Sequence, residues 1–435
     1  MHDQTGALRK GVAAALAGYP CRGRRWLALS GGLDSTVLAH LLASLGEPFT
    51  AVHVNHALSP NADAWQAHCR RLVDALQVPL VTRNVVVTER GGGLEEAARH
   101  ARYVVFEELL GEGDQLLAAH HGDDQVETFF LRLLRGAGVQ GLAAMPGCRP
   151  LGRGQLVRPL LGFGRNALER YARASGLDWI EDESNRDSRF DRNYLRRGVL
   201  PGLRERWPLR ERVGRAAENL REAAALLAEV GDGDLVAVGL RSERLGQSIS
   251  IAGLQSLSPA RRKNLLRRWL SLRGGESPPA TVLEELLRQL WAAGGDRQPE
   301  IAMGELVGRR WGERLYLLPA LATLDPPQEL LWSGSESLAL PGGGTLVPSS
   351  DWPAGSYRVS FRQGGERARP LGRSHSQTLK RLLQEWQLEP WLRDRVPLIF
   401  EGTRLLAVGG LFVCHGDWKG RPPAPPEWRP GAFSD

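Results

Sequence analysis

The sequence predicts an α/β protein that begins with a doubly wound parallel sheet, followed by an α-rich middle domain and a small α+β C-terminal domain. In the first half, short apolar strands alternate with helical segments. In the middle, alanine and leucine recur with a period of 3.6 residues, and short strand patterns return after Pro326 and Pro327. A chain of 435 residues is too long for one ordinary core. We therefore predict domains at residues 1–213, 214–322 and 323–435, with a loose proline-rich tail from about residue 420.

The individual elements follow from local patterning. Apolar runs bounded by polar or glycine-rich segments predict strands. The predicted strands are Trp26–Leu29, Phe49–Asn55, Pro79–Val87 and Gln115–Ala119. Amphipathic segments predict helices after Leu33, through Trp65 to Leu76, and over Leu94–Leu110, Asp123–Leu134, Arg212–Leu227, Leu254–Leu272 and Thr281–Ala293. The acidic segment Gly231–Leu235 predicts a boundary after the Arg212 helix.

Composition excludes several classes of protein. The chain is 42% apolar and 24% charged, and it lacks both a membrane-length apolar run and a signal-peptide pattern, so we expect a cytoplasmic protein without a membrane partner. Its four cysteines form no CxxC pair, which argues against a zinc site, an iron–sulfur cluster or a disulfide scaffold. The net charge of +7, mostly from arginine, indicates a polyanionic partner or an arginine-rich genome.

The loop Ser30–Ser35, with the sequence SGGLDS, lies directly after the first strand and before a helix. Adjacent glycines allow close backbone approach, and the N–H groups of the following helix turn attract anions. The loop lacks the lysine of a Walker A motif, and Asp34 would repel phosphate without an intervening divalent cation. The segment resembles the SGGxDS pyrophosphate loop of the ATP-pyrophosphatase (PP-loop) superfamily, whose members cleave ATP between the α and β phosphates.

A second polar segment, AAHHGDDQVET at residues 118–128, follows the fourth strand. On a helix, Asp123, Asp124 and Glu127 share one sector. Acidic residues in a first turn are ordinary helix-capping features. Beside a phosphate loop, however, three carboxylates require a cation, which could be Mg²⁺, a basic substrate, or both.

Together these segments resemble the tRNA(Ile)-lysidine synthetase family. The similarity extends in order through RGAGVQGLAAM (135–145), VRPLLGFGRNALERYA (157–172) and WIEDESNRDSRFDRNYLRRGVLPGL (179–203). It implies an ATP-dependent ligase that adenylates the C2 oxygen of the wobble cytidine in CAU-anticodon tRNA(Ile). Free L-lysine then displaces AMP, and the resulting lysidine lets the tRNA read AUA and carry isoleucine. The implied cofactors are ATP and Mg²⁺, and the resemblance also allows a homodimer.

The resemblance also implies roles for individual residues. The β and γ phosphates would be cradled by Ser30, Gly31, Gly32, Leu33, Asp34 and Ser35. Asp34 and Asp123 would hold Mg²⁺, and Asp124 and Glu127 would orient lysine. His120 would either assist activation of the cytidine or stabilise the developing charge, and Arg192 would contact the α-phosphate. Further residues of the pocket would be Glu95, Arg99, Tyr103 and Asn185. The sequence leaves open which carboxylates hold magnesium and which hold lysine.

Basic residues in the later domains are compatible with tRNA binding. The predicted helix Leu254–Leu272 carries a basic face, and nine basic residues lie between Arg358 and Arg395, with Trp386 and Trp391 interleaved. For Trp391 we predict a core position. By resemblance, both later domains would bind tRNA.

Three alternatives are weighed against this function. A tRNA cytidine thiolase needs catalytic cysteines or a cluster, and a GMP or asparagine synthetase needs a glutaminase domain or an N-terminal cysteine. Neither feature is visible in the sequence. A non-catalytic tRNA-binding protein on a degenerate nucleotide fold is disfavoured by the intact acidic residues Asp34, Asp123, Asp124 and Glu127.

Overall fold

The chain forms two compact units, Met1–Leu226 and Leu227–Asp435. The computed structural model describes residues 2–56, 61–87, 94–181, 189–275, 278–292, 299–321, 329–418 and 420–431, without the side chains of residues 2–5, 94 and 95. Among these residues, no helix combines the length and the apolar character needed to cross a bilayer. The predicted division at residues 213 and 322 stays a prediction.

A mostly parallel sheet forms the centre of the first unit, with the strand order β3-β2-β1-β4-β6-β5. Its strands are β1 Arg25–Ala28, β2 Thr50–Asn55, β3 Leu80–Asn84, β4 Gln115–Leu117, β5 Cys148–Leu151 and β6 Gly154–Val157. β1 pairs in parallel with β2 and β4, and β4 with β6, whereas β5 forms an antiparallel hairpin with β6. The predicted strands are therefore present. The first is shifted by one residue toward the N-terminus, and the other three are shortened at one or both ends.

Helices cover both faces of this sheet. They are α1 His2–Gly18, α2 Leu33–Leu45, α3 Ala62–Ala75, α4 Leu94–Leu109, α5 Gly122–Leu134, α6 Val139–Leu142, α7 Arg165–Ala174, α8 Asp191–Tyr194, α9 Leu200–Arg206 and α10 Leu209–Ala237. Successive strand residues point to opposite faces, so Leu27 packs in the core under α1, α2 and α7, whereas Trp26 packs in the core under α4. This two-sided burial explains why the strands are apolar throughout, and it confirms the predicted doubly wound sheet.

The second unit begins with helices packed on an antiparallel sheet of order β7-β8-β11-β10-β9. The elements are β7 Arg241–Ser242, β8 Gln247–Ser250, α11 Ile251–Ser256, α12 Pro259–Leu272, α13 Ala280–Ala292, β9 Glu300–Met303, β10 Leu306–Trp311 and β11 Arg314–Pro319. The predicted helix Leu254–Leu272 is divided because Ser258 caps α12, accepting a hydrogen bond from Arg261 N, with Pro259 at the first helical position. The predicted helical middle region is confirmed. The antiparallel sheet on which its helices pack was not predicted from the sequence.

Short antiparallel strands and one helix complete the second unit. The elements are β12 Leu330–Trp332, β13 Leu338–Ala339, β14 Thr345–Val347, β15 Tyr357–Ser360, β16 Arg367–Ala368, β17 Gln377–Thr378, α14 Leu379–Glu385, β18 Leu398–Glu401, β19 Arg404–Val408, β20 Phe412–Val413 and β21 Glu427–Arg429. The sheets have the orders β12-β15-β18-β19-β20, β13-β14-β21 and β16-β17. This arrangement confirms the predicted α+β C-terminal region. Trp391 is 9% exposed within its core, as predicted.

The acidic segment Gly231–Leu235 lies inside α10, where Arg261 pairs with the fully buried Asp234 and Arg268 pairs with Asp232. The two compact units meet within the same helix, between Leu226 and Leu227, and the domain boundary predicted at the acidic segment stays a prediction. One prediction is corrected. The chain beyond residue 420 is not a loose tail throughout, because β21 pairs with β14 and buries the Trp428 side chain.

Candidate active site

The loop between β1 and α2 is shaped for a bound anion. Gly31 has a φ of 82°, in the left-handed region that favours glycine. Gly32 occupies the N-cap of α2 and offers no side chain to the N–H groups of the first turn. Ser35 Oγ lies 3.0 Å from Ser30 Oγ, and it donates to Gly32 O at 3.1 Å. The two serines thus hold the curve of the loop.

Residues from two other segments of the chain contact this loop at Gly31. Ile180 N donates to Gly31 O at 2.9 Å. A Cβ atom on Gly31 would lie 3.0 Å from Cys69 Sγ and 3.3 Å from Ile180 Cδ1. A larger residue at position 31 would therefore meet both steric contact and an unfavourable φ.

Asp34 lies in the first turn of α2 and is incompletely partnered. Its Oδ2 atom lies 3.6 Å from His121 Nε2 and 3.5 Å from an Arg165 guanidinium nitrogen. Its Oδ1 atom is buried without a hydrogen-bond partner in the described part of the chain. A buried carboxylate oxygen without a donor is a natural position for a cation.

His121 caps α5 and connects the acidic residues. Its Nδ1 accepts from the backbone N–H groups of Asp123 and Asp124, at 3.2 and 3.4 Å. Asp124 Oδ2 in turn accepts from His121 N at 2.9 Å, which completes a capping box. Burial disfavours the charged ring, but the hydrogen bond that the ring donates to Asp34 and the charges of Asp124, Asp34 and Asp123 raise the His121 pKa overall. The sequence analysis did not assign this histidine; its position just before the acidic helix turn was the available signal.

His120 has a different environment from its neighbour. Burial, reinforced by the positive charges of Arg158, Arg192 and Arg99, lowers its pKa to about 4. Its Nδ1 is buried without a partner among the residues that the structure describes. The ring is therefore neutral near pH 7 and able to exchange hydrogen bonds with a substrate.

Asp123 approaches the same region as Asp34 from the other side of His121. Its Oδ2 lies 4.0 Å from His121 Nδ1 and accepts from Arg165 N at 2.7 Å. Its Oδ1 accepts from Arg204 at 2.8 Å. Asp34 and Asp123 therefore share His121 and Arg165 as neighbours, as a common ligand would require. Within the described ranges, no group of three or more His, Cys, Asp or Glu side chains forms a metal cage.

Asp124 and Glu127 are held by two arginines, which we call the Arg192–Arg196 pair. Arg192 donates to Asp124 Oδ1 at 2.6 Å and to Glu127 Oε2 at 2.7 Å. Arg196 donates to the two Glu127 oxygens at 2.6 and 2.8 Å. Glu127 is 1% exposed. Burial raises the pKa of Asp124, but His121 and Arg192 hold it below its usual value overall.

A π-helical turn over Leu195–Val199 joins α8 to α9 and carries Arg196. Such turns widen a helix locally and are frequent at functional sites. A spacing of four residues puts Arg192 and Arg196 on one face of a helix, but it does not indicate that both pair with Glu127. Two predicted site positions, Asn185 and the side chain of Glu95, lie outside the described residues.

Comparison with known proteins identifies the family. A tRNA(Ile)-lysidine synthase of Coxiella burnetii is 42% identical over 405 residues, covering 90% of this chain and 89% of the relative. The corresponding enzyme of Pseudomonas putida is 45% identical over 404 residues, with coverage of 89% and 92%. The chain belongs to the tRNA(Ile)-lysidine synthase family. The resemblance recognised from the motifs is thereby confirmed.

Domain families match in the same order as in the chain. Residues 13–203 match the PP-loop domain, residues 249–316 the TilS substrate binding domain, and residues 357–427 the TilS substrate C-terminal domain. A solved U34-tRNA thiolase from Methanococcus maripaludis, with a [4Fe-4S] cluster, has 15% identity and a TM-score of 0.44, and covers 51% of this chain and 81% of its own. In this lysidine synthase family member, the PP-loop domain therefore contains all the catalytic residues predicted above.

Proposed function

We propose that this chain ligates free lysine to C2 of the wobble cytidine in CAU-anticodon tRNA(Ile), with ATP as the activating substrate. The products are lysidine, AMP and pyrophosphate, and the modified tRNA reads AUA. The observation that carries this proposal is Asp34 Oδ1 in the SGGLDS loop, which is buried without a hydrogen-bond partner among the described residues, in a chain of this family. The other oxygen of Asp34, Oδ2, lies 3.6 Å from His121 at the acidic start of α5.

The Ser30–Ser35 loop binds the phosphates that leave as pyrophosphate. Its backbone approach at Gly31 and Gly32 and the start of α2 supply N–H donors to the phosphate oxygens. Asp34 and Asp123 fit Mg²⁺, because this ion uses one or two carboxylates together with phosphate oxygens and water. When bound, Mg²⁺ supplies positive charge against the phosphate oxygens at the bond that breaks.

Lysine binding is coupled to movement of the Arg192 side chain in this mechanism. Asp124 and Glu127 already carry guanidinium partners, so a lysine ammonium group must replace one of them. Arg192 bridges both carboxylates, so its release removes the arginine donor to Asp124 Oδ1 and leaves Glu127 bound by Arg196 alone. The released guanidinium is then available to the α-phosphate of ATP.

Neutral His120 serves the cytidine. Its low pKa keeps the ring uncharged, so that it does not repel the nearby arginines. The neutral ring donates a hydrogen bond to the C2 oxygen. The lysine ε-amine, with an ordinary pKa of ~10.4, must lose a proton before it attacks C2. Adenylation makes the C2 oxygen a good leaving group, so AMP departs as the new C–N bond forms.

The second unit supplies RNA contacts in this proposal. Arg373 lies 5.6 Å from the ring centre of Trp386, which itself packs against Phe412. A half-buried aromatic ring beside arginine suits an unpaired base next to a phosphate. The basic face of α12 contributes less to RNA binding than its sequence indicates, because three of its cations are already paired within the chain. The ion pairs are Arg261 with Asp234, Lys263 with Glu284 and Arg268 with Asp232.

Release of AMP from labelled ATP tests this function. Purified protein is incubated with Mg²⁺, lysine and a CAU-anticodon tRNA(Ile) transcript, beside a transcript that differs in the anticodon. We expect AMP only with lysine and the CAU transcript together. The Asp34→Asn variant should lose the signal, whereas Asp63→Asn, which removes an exposed acid from the first turn of α3, should keep it.

Other outcomes of this experiment contradict the proposal in distinct ways. AMP formed without lysine would mean that another nucleophile is used. AMP formed equally with both transcripts would mean that the wobble cytidine is not the target. Tight tRNA binding without any AMP would favour the non-catalytic binding protein. Sedimentation of the same preparation tests the homodimer that the family resemblance allows.

A further inference from the structure

A second group of arginines lies beside His120, and we call it the Tyr103 cluster. It consists of Arg99, Tyr103, Arg132, Arg149 and Arg158. The guanidinium carbons of Arg99 and Arg149 lie 5.1 and 5.3 Å from the centre of the Tyr103 ring. Burial lowers the pKa of Arg158, and the Tyr103 side chain acts in the opposite direction. Three distant parts of the sequence, in α4, β5 and the end of β6, thus meet at one aromatic ring, and Arg132 of α5 joins them through the effect of the Arg99 charge on its pKa.

These arginines have no carboxylate partner among the residues that the structure describes. Arg158 is 5% exposed and donates to Pro146 O at 2.7 Å, while its Nε atom is buried without a described partner. Arg132 donates to the carbonyl oxygens of Gly141 and Ala144. Burial lowers the pKa of both arginines, and the nearby positive charge of Arg99 lowers it further. Positive charge that is partly buried and has no carboxylate partner among the described residues is stabilised by an anion.

The cluster adjoins the active site through His120. The charges acting on His120 are those of Asp124 and Arg192 from the active site, and those of Arg158 and Arg99 from the cluster. Arg158 directly follows β6, and His120 comes three residues after β4, with which β6 pairs in parallel. Both therefore lie at the carboxyl edge of the sheet, where α/β proteins bind ligands.

We propose that the Tyr103 cluster binds a phosphodiester group of the RNA strand next to the cytidine that reacts. This inference rests on the proposed function, since it needs an RNA substrate. The phosphates of ATP already have the Ser30–Ser35 loop, whereas the RNA backbone brings a further anion for each nucleotide. Guanidinium groups match phosphate geometry and are weakly hydrated, so they suit a half-buried phosphate site. The cluster holds the strand so that its base reaches His120.

Binding of an anticodon stem-loop RNA, without ATP or lysine, tests this site. The variants are Arg99→Gln and Arg149→Gln, because these side chains are more exposed than Arg158 and their loss should leave the fold intact. Arg153→Gln removes the same charge from an exposed position on the β5–β6 turn and is the matched control. Affinity is measured by fluorescence anisotropy over a range of salt concentrations.

We expect each cluster variant to weaken RNA binding about tenfold and to reduce the slope of log K against log salt by about 0.7, as for one lost phosphate contact on a single strand. The KM for ATP should not change. RNA binding equal to that of Arg153→Gln would overturn the proposal. A raised KM for ATP with unchanged RNA affinity would also overturn it, because the cluster would then serve the nucleotide phosphates.

Failure of this inference can be separated from failure of the proposed function. If the parent protein forms AMP with lysine and the CAU transcript, but the cluster variants keep its KM for tRNA, the inference alone is wrong. If the parent protein forms no such AMP, the proposed function is wrong, and the stem-loop affinities then decide the phosphate site independently.

Discussion

The Arg192–Arg196 pair and the Tyr103 cluster use the same side chain in opposite ways. Arg192 and Arg196 donate to Asp124 and Glu127, and these bonds and charges raise the pKa of both arginines against the effect of burial. In the Tyr103 cluster, burial and like charges lower the pKa of Arg132 and Arg158. The first group is neutralised within the chain, whereas the second is left for an anion from outside.

This difference separates guanidinium groups that are paired with carboxylates in the ligand-free chain from groups that have no carboxylate partner among the described residues. A guanidinium that makes two bonds to a buried carboxylate fixes both side chains, and removal of either partner leaves a costly charge. A guanidinium without a carboxylate contributes little to folding, so its loss should be felt mainly when a ligand binds. Each of the following experiments tests one side of this contrast.

The largest effect on stability is expected from Glu127→Gln. The change leaves two arginines, each about 30% exposed, facing a neutral amide. We expect the free energy of unfolding to fall by about 3 kcal/mol, the low end for breaking a buried ion pair, because the arginines remain partly hydrated. Urea unfolding at pH 7 measures it.

Glu169→Gln is the control for this change. Glu169 pairs with Arg173, which is 71% exposed, across one turn of α7, and such a surface pair is worth about 0.3–0.5 kcal/mol. Equal losses in the two variants would contradict the structural role assigned to the Arg192–Arg196 pair.

The next largest effect is a pH dependence that comes from His120, which lies between the two groups. Its folded pKa of about 4 is below the unfolded value of ~6.5, so the folded state binds fewer protons in this window. Stability should therefore fall as the pH drops from 6.5 to 4, by roughly 2 kcal/mol for a partly exposed ring. His120→Asn should remove this part of the slope, and exposed His100→Asn should keep it.

Two neighbouring groups have different pH windows and do not mimic this effect. The raised pKa of His121 gives stability that is complete below ~6.5 and lost as the pH rises through its folded pKa. The lowered pKa of Asp124 gives stability that is present above ~3.9 and lost below it. An unchanged slope in His120→Asn would show that its ring is not held neutral by its surroundings.

The sequence predicts the parts of this site that depend on nearby residues. The apolar strand, two glycines and helix around Ser30–Ser35 are read from one short stretch, and so is the acidic first turn of α5. The order of Asp123, Asp124 and Glu127 on one helix face follows from periodicity. These features were found because each depends on neighbours within a few residues.

Contacts between distant segments could not be predicted in this way. Arg196 pairs with Glu127 across 69 residues of sequence, and it lies in a π-helical turn that no local sequence pattern predicts. The Tyr103 cluster needs four separate segments, and the approach of Asp34 to His121 Nε2 joins the start of α2 to the start of α5. Likewise, β21 has three residues among prolines, and its partner β14 lies about 80 residues earlier in the chain.

The smallest expected effect concerns inorganic phosphate as a probe of the two arginine groups. A ligand that binds the folded state at about five times its Kd stabilises it by about 1 kcal/mol, and this increment should be present in the parent protein. Arg196→Gln should lower the starting stability but keep the increment, because its charge is already neutralised by Glu127. The double variant Arg99→Gln/Arg149→Gln should lose the part of the increment that comes from phosphate bound at the Tyr103 cluster. It should keep the part that comes from phosphate bound at the Ser30–Ser35 loop. Urea unfolding with phosphate, and with chloride at equal ionic strength, measures the increment; equal increments in all three proteins would mean that the two arginine groups do not differ in their need for an external anion.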